Sequence, residues 1–204
     1  MFIAVDGIDG AGKTTLAQQL AAALSSFSPI ITKEPTNDSP WGRKLRAAAY
    51  DGRLSPEVEL EYFRKDRQEH IRNLIRPILD KNRVVITDRY VDSTLAFQTH
   101  STEEANRLYE ILLPETLVPD VSFILKCPVE LGLARVVARD GENISEFEKS
   151  SILETAKVIF ESRTASNYEY LDATKDIEFT FSQAIDALIK RFPEIENSLQ
   201  LESA

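Results

Sequence analysis

The chain is poor in several things at once, and each shortage closes off a class of protein. Its 204 residues hold a single cysteine, Cys127. No internal disulfide can form, and the apolar run around Cys127 makes it a buried free thiol, with a reducing cytoplasm as the default setting. No apolar run approaches the roughly 20 residues that a membrane span requires. The N-terminus does not read as a secretory signal either, because "FIAV" meets Asp6 within a few residues. Positive charge is scarce, with 24 Lys and Arg against 33 Asp and Glu and a net charge of −9. That balance argues against nonspecific nucleic-acid binding, which needs a basic face. It leaves room for a small phosphorylated ligand, because a few local arginines outweigh a distant acidic surface. Only two histidines are present, His70 and His100. They lack metal-ligand spacing and partners, so both read as surface or core residues. Trp41 and the tyrosines show no spaced stacking platform for single-stranded nucleic acid.

The length and the 43% hydrophobic content suit one compact domain. Strand-like segments stand at 2–6, 29–33, 83–88, 121–126 and 168–173. Helical patterns at 13–26, around 40–50, from Ser55-Pro56 to about Lys81, from the "STEE" capping box at 101–104, and at 128–139, 148–167 and 178–191 fall between and after them. Ser55 is expected to cap the helix it opens, and Pro77 to kink or split it. Strands alternating with helices predict an α/β fold, a five-stranded parallel sheet with helices on both faces. Ligands then sit beyond the C-terminal ends of the strands. The segment 193–204 is a polar, acidic tail with no assigned role.

Between the first strand and the first helix lies Gly7-Ile8-Asp9-Gly10-Ala11-Gly12-Lys13-Thr14, which fits G-x-x-x-x-G-K-[ST]. Glycines there permit positive φ and let backbone N–H groups converge on phosphate oxygens at a helix N-terminus. Lys13 then reaches the β- and γ-phosphates, and the Thr14 hydroxyl ligates Mg²⁺. The stretch is a nucleotide site. Two further clusters bear on what happens there. In "TDRYVDSTLAFQ" (87–98), Asp88 ends a strand where it can hold a metal-bound water, and Arg89 offers a planar fork for a phosphate. In "LEYFRKDRQEH" (60–70), Phe63 and Arg67 share one helix face and can hold a base between them. Asp88-Arg89 is also compatible with a plain strand-end ion pair, and Phe63 with a core position.

Taken together, "FIAVDGIDGAGKTT", "TKEP", "YFRKDRQEH" and "DRYVDSTLAFQ" resemble the thymidylate kinase family, and the likeness runs through "VPDVSFILKCPVELGLARVVAR" and "YEYLDAT" to about residue 190. The resemblance implies a P-loop NTPase three-layer fold, a kinase domain over 1–192 with a small lid at about 139–149, and transfer of the ATP γ-phosphoryl to dTMP. It implies that Gly7, Gly10, Ala11, Gly12, Lys13, Thr14 and Thr15 hold the ATP phosphates, with Arg135 also on the ATP side. Asp9 would serve both substrates. Glu34, Pro35, Phe63, Arg67, Arg89, Ser93, Thr94, Phe97 and Gln98 would hold the acceptor, with Phe97 packed where a 2′-hydroxyl would clash. Thr14 and Asp88 would organise Mg²⁺, and Lys13, Asp88, Arg89 and Arg139 would serve transfer. A cytoplasmic homodimer that binds neither nucleic acid nor membrane is the implied setting.

The chain departs from the family pattern in three places. Lys33-Glu34-Pro35-Thr36-Asn37 stands where Arg-Glu-Pro-Gly-Gly is usual, and Thr99-His100 follows Gln98 instead of glycine. The resemblance implies a catalytic arginine from either the P-loop or the lid; Gly10 and Ala11 supply none, so the lid is expected to, yet that loop reads "DGENISEFEKSS". Arg139 is the first candidate and Arg135 the second, with Lys149 or Arg163 still open. The altered loops leave dUMP or a 5-modified dUMP as another possible acceptor. A nucleotide-binding switch that has lost transfer is the remaining alternative.

Overall fold

The computed structural model describes residues 1–141 and 150–196. Beyond Gly141, the expected lid, with Lys149, lies outside the described residues, as does the tail after Glu196. Five strands form one parallel sheet in the order β2-β3-β1-β4-β5: β1 Phe2–Gly7, β2 Ile30–Lys33, β3 Val85–Asp88, β4 Val121–Lys126 and β5 Tyr168–Asp172. The central β1 and β3 are buried throughout, which accounts for their unbroken apolar and β-branched runs. At the edge, β2 alternates between half-buried and exposed positions.

Helices α1 (Lys13–Ala23) and α9 (Ile177–Arg191) pack together on one face. The other face carries α5 (Val91–Gln98) and α8 (Ser150–Glu161), with α3 (Pro56–His70) against α5, α2 (Pro40–Asp51) against α3, and α6 (Thr102–Leu112) against α5 and α8. Residues of α1 show how a helix with a weak overall pattern still docks: Leu16, Ala17 and Leu20 are buried on one stripe. Phe2 meets Tyr90 edge-on at 5.1 Å and Phe97 meets Phe160 at 6.2 Å, stitching β1 and α5 into the core. Cys127 is buried and free, as its apolar setting predicts.

The helix from Ser55 is divided just ahead of Pro77, as expected: α3 ends at His70, a π-helical turn spans Ile71–Ile75, and α4 is Arg76–Leu79. Pro77 cannot donate to the carbonyl four residues back and its ring crowds it, so the helix widens just before the proline. Two other expectations, the Ser55 cap and the reach of a later helix to 167, are corrected. Ser55 occupies the cap position but its side chain makes no capping bond. The helix expected to reach 167 stops at Glu161, because Arg163 turns inward to Asp92 at 2.9 Å. The segment after β3, to which no element had been assigned, is α5.

Candidate active site

The sheet register sets the site. Asp88 at the end of β3 lies beside Val5 of β1 on one side and Lys33 of β2 on the other. The loop leaving β1 therefore opens next to the carboxylate of Asp88. In that loop Gly7, Gly10 and Gly12 have φ of 142°, 77° and 97°. Gly10 is required twice over, since a side chain there would also run into the Gly132 carbonyl of α7 (Val129–Asp140). No side chain caps the N-terminus of α1. Its unpaired N–H groups and positive dipole end are left for an anion, with Thr14 and Thr15 exposed beside them.

Lys13 is buried, with its Nζ donating to the Ile8 carbonyl at 2.7 Å and 3.9 Å from Asp9. Burial and then the nearby Arg89 push its pKa down to about 8, against the pull of Asp9 and Asp88. Thr14 donates to Asp88 Oδ2 at 2.5 Å, and Lys33 Nζ stands 3.7 Å from the same oxygen. Burial alone would raise the Asp88 pKa, but Lys13, Arg89 and Lys33 outweigh it and hold the carboxyl ionised. Asp88 Oδ1 is buried without a partner. No group of three or more His, Cys, Asp or Glu poised for a metal occurs among the described residues. A hydroxyl, one carboxylate with an orphaned oxygen, and substrate phosphates match how Mg²⁺ is usually held in phosphoryl-transfer sites.

Arg89 sits in the left-handed region at φ 74°, an uncommon conformation for a residue with a side chain. Its backbone N–H donates to Val5 at 2.9 Å, and its guanidinium pairs with Asp9, reaches Ser93 at 3.3 Å and lies 5.4 Å from the centre of the Phe97 ring. Burial would raise the Asp9 pKa, but Arg89 and Lys13 overcome that and lower it. Asp9 and Arg89 thus join the nucleotide loop to a cavity of about 230 Å³. A concave site of this scale takes a small ligand.

Nine of the ten residues expected to hold an acceptor line this cavity: Asp9, Glu34, Pro35, Phe63 and Arg67 on one side, and Arg89, Ser93, Thr94 and Phe97 on α5 and its approach. Gln98 does not. Its amide donates to Glu59 at 2.9 Å, in a buried cluster where Arg53 also grips Glu59. Arg139 lines the cavity too. Arg135 is elsewhere, donating to the carbonyls of Gly10, Ala173 and Lys175 at 3.4, 3.0 and 3.1 Å on the P-loop side. Arg163 is paired with buried Asp92 and stacked 4.4 Å from Tyr109, so it belongs to the core.

Several residues of the site escaped the sequence reading. Leu45, Arg46, Ala49 and Tyr50 line the cavity from α2, at a spacing that marks one helix face. Arg46 bonds the Pro35 carbonyl, and its Nε is buried without a partner. His70, expected to lack partners, has two: Glu34 at 2.9 Å and Thr32 at 2.8 Å. Asp66 holds the loop after β2, accepting from the Thr36 N–H at 2.8 Å and hydroxyl at 2.6 Å and from Ser39. Thr36 stands where the family pattern has glycine, and its hydroxyl is used for this anchor. Gly42 lets α2 approach closely, because a Cβ there would strike the Thr36 carbonyl.

The fold is that of a P-loop NTPase, and a nucleotide loop facing one small cavity rich in guanidinium groups defines a phosphotransferase with a separate acceptor. A model of the thymidylate kinase family matches residues 5–184. The chain is 38% identical over 194 residues to a thymidylate kinase of Xylella fastidiosa, covering 93% of this chain and 91% of that one. It is 40% identical over 188 residues to one of Xanthomonas euvesicatoria, covering 90% and 81%. A solved thymidylate kinase of Candida albicans superposes with a TM-score of 0.77 at 21% identity, over 93% and 91% of the two chains, and so matches in fold. The chain belongs to the thymidylate kinase family.

Proposed function

We propose that the protein transfers the γ-phosphoryl group of ATP to the 5′-phosphate of dTMP, giving dTDP and ADP. The observation that carries this reading is the Asp9–Arg89 pair, in which a P-loop carboxylate and an acceptor-side guanidinium meet at one cavity wall. An acceptor phosphate gripped there lies beside the loop that holds the donor phosphates. The reaction breaks the bond from Pγ to the β–γ bridging oxygen and forms one from Pγ to an acceptor phosphate oxygen. A phosphate monoester, with a second pKa near 6, is already anionic at neutral pH, so no general base is needed. That agrees with a cavity whose lining includes Lys33, Arg46, Arg67, Arg89 and Arg139 and, among the described residues, no histidine. Catalysis is then positioning and charge neutralisation.

In this reading Lys13, Thr14, Thr15 and the backbone of the P-loop bind ATP, with Arg135 bracing that loop. Arg89 and Arg46 grip the acceptor phosphate, Phe63 stacks on the thymine, Arg67 and Thr94 address its edge, and Phe97 faces the sugar. Arg139 supplies the cation that the P-loop lacks. Mg²⁺ held by Thr14 and Asp88 would supply charge neutralisation on the transferring phosphates. The closing lid, homodimeric assembly and a cytoplasmic setting belong to the same proposal; no helix among the described residues is long and apolar enough to cross a membrane. Of the positions where the chain departs from the family pattern, Thr36, Asn37, Thr99 and His100 do not line the cavity and only Lys33, a cation in place of a cation, does, so the alternative acceptors lose ground. A switch protein would need no such cavity.

The test is ADP release from ATP–Mg²⁺ against dTMP, dUMP, dCMP, dGMP, dAMP and UMP. Preference for dTMP is expected. Preference for another acceptor would overturn the assignment, and ATP binding without turnover of any acceptor would favour the switch.

A further inference from the structure

Glu34 is where the base side of the cavity converges. Its Oε2 accepts from Arg67 Nε at 3.0 Å and Nη2 at 2.8 Å, and the same Nη2 reaches Thr94 Oγ at 2.8 Å. Its other oxygen, Oε1, meets His70 Nδ1 at 2.9 Å, and His70 Nε2 meets Thr32 Oγ at 2.8 Å. Glu34, Arg67 and His70 are each no more than 5% exposed. An ionised carboxylate only accepts, so Nδ1 is the donor to Glu34, and Nε2 is left to pair with the Thr32 hydroxyl. The chain of bonds therefore links Thr32 through His70 to Glu34, with Arg67 donating from the opposite side.

An ion pair made through one carboxylate oxygen can swivel about it. A bond to the second oxygen removes that freedom, and here it comes from a residue one helical turn beyond Arg67 on α3, tied in turn to β2 of the sheet. The Tyr90 ring, 5.1 Å from the guanidinium carbon, restrains its plane. With Nε and Nη2 committed, Nη1 is the nitrogen left without a protein acceptor among the described residues. A guanidinium only donates, so a fixed Nη1 rewards a base edge that presents a carbonyl oxygen and opposes one that presents an amino group.

We propose that His70 and Thr32 are positioning residues for base selection, acting through Glu34 to hold Arg67 as a fixed donor that favours 4-oxo over 4-amino pyrimidine nucleotides. The inference rests on the acceptor reading above. Neither residue touches the cavity, and neither would touch substrate.

The experiment measures kcat and KM for dTMP, dCMP and ATP, with melting temperatures, for the wild type and the variants His70→Leu, His70→Asn and Thr32→Val. In His70→Leu, which leaves Glu34 Oε1 buried and unpaired, KM for dTMP is expected to rise roughly tenfold while KM for ATP holds, with the preference for dTMP over dCMP narrowing. An asparagine places its amide nitrogen near the former Nδ1, so His70→Asn should recover most of both. Thr32→Val keeps the side-chain volume and removes only the far end, and about a two- to threefold effect in the same direction is expected. A merely structural histidine would lower the melting temperature without separating dTMP from ATP or dTMP from dCMP, and that result would overturn the proposal. If His70→Leu does not fold, Thr32→Val decides: unchanged KM and unchanged base preference overturn it. A wild type that prefers an acceptor other than dTMP would instead sink the functional reading, and the assay shows this before any variant is made.

Discussion

Replacing Asp6 by asparagine should make the protein more stable at alkaline pH than it is now. Asp6 is the penultimate residue of β1 and is completely buried. Its Oδ1 accepts from the Ser93 hydroxyl at 2.5 Å and the Tyr90 N–H at 3.2 Å, while Oδ2 has no partner. Burial, with Asp92 adding to it, raises its pKa from 3.8 to about 7, against the pull of Ser93, Tyr90 and Arg89. Between those two values the folded chain keeps a proton that the unfolded chain has released. Stability from this residue is therefore complete below pH 3.8 and is lost as pH climbs towards 7. The loss runs at up to about 1.4 kcal/mol per pH unit, so roughly 3 kcal/mol disappears between pH 5 and pH 8. Asparagine fits the same volume, accepts both hydrogen bonds through Oδ1 and never becomes charged. Any fixed cost of its buried amide is the same at every pH. The difference in unfolding free energy, variant minus wild type, should thus grow by about 3 kcal/mol from pH 5 to pH 8 in favour of the variant. Urea denaturation followed by the fluorescence of Trp41, the only tryptophan, measures it at each pH. A difference that stays flat across this range would refute the account.

Arg89→Gly and Arg89→Ala should both cut transfer by about 10²-fold or more, because both remove the acceptor clamp. The glycine variant should nonetheless be the more stable by about 1 kcal/mol, since φ at this position is 74°, and equal denaturation midpoints would show that the backbone is not strained. Arg139→Ala should lower kcat by roughly 10²-fold in the coupled assay, and an unchanged kcat would move the catalytic cation to Arg135 or another group.

How much of this was readable beforehand depended on whether local chemistry or tertiary partnership decides a residue. The central strands were legible because a parallel strand covered on both faces must be apolar along its length, as "RVVITD" and "VSFILK" are. The P-loop was legible because positive φ at Gly10 and Gly12 has few sequence solutions. Arg89 and Phe63 were legible through spacing, and the cavity does bring them together. Partner choice was not. Gln98 and Arg67 are both polar groups on helices near the cavity, but the packing of α5 against α3 ties the first to Glu59, while the second lines the cavity. Thr36 read as a departure from a glycine pattern until its hydroxyl met Asp66 across 30 residues of chain. His70 offered only the signal that it follows Arg67 by three, one turn along a shared helix face. Helix ends were the other blind spot: Pro77 marks where the long helix divides, but neither the residue at which the π turn begins nor the inward turn of Arg163 has a local code.

The adjacency of Lys33, Asp88 and Val5 in the sheet bears on how such an enzyme can be altered. Neighbouring parallel strands stand about 4.8 Å apart, a spacing imposed by backbone hydrogen bonds and indifferent to side chains. On the proposed function the transfer chemistry hangs from these strand ends, and the gap between donor and acceptor phosphates would be set by the sheet. The cavity walls contributed by α2, α3 and α5 could then be resurfaced while that gap is kept. An engineer seeking a new nucleotide acceptor should therefore rewrite Leu45, Ala49, Tyr50 and Phe63 first. The limit of this freedom is Thr32, where the base-reading arm is moored to the sheet itself.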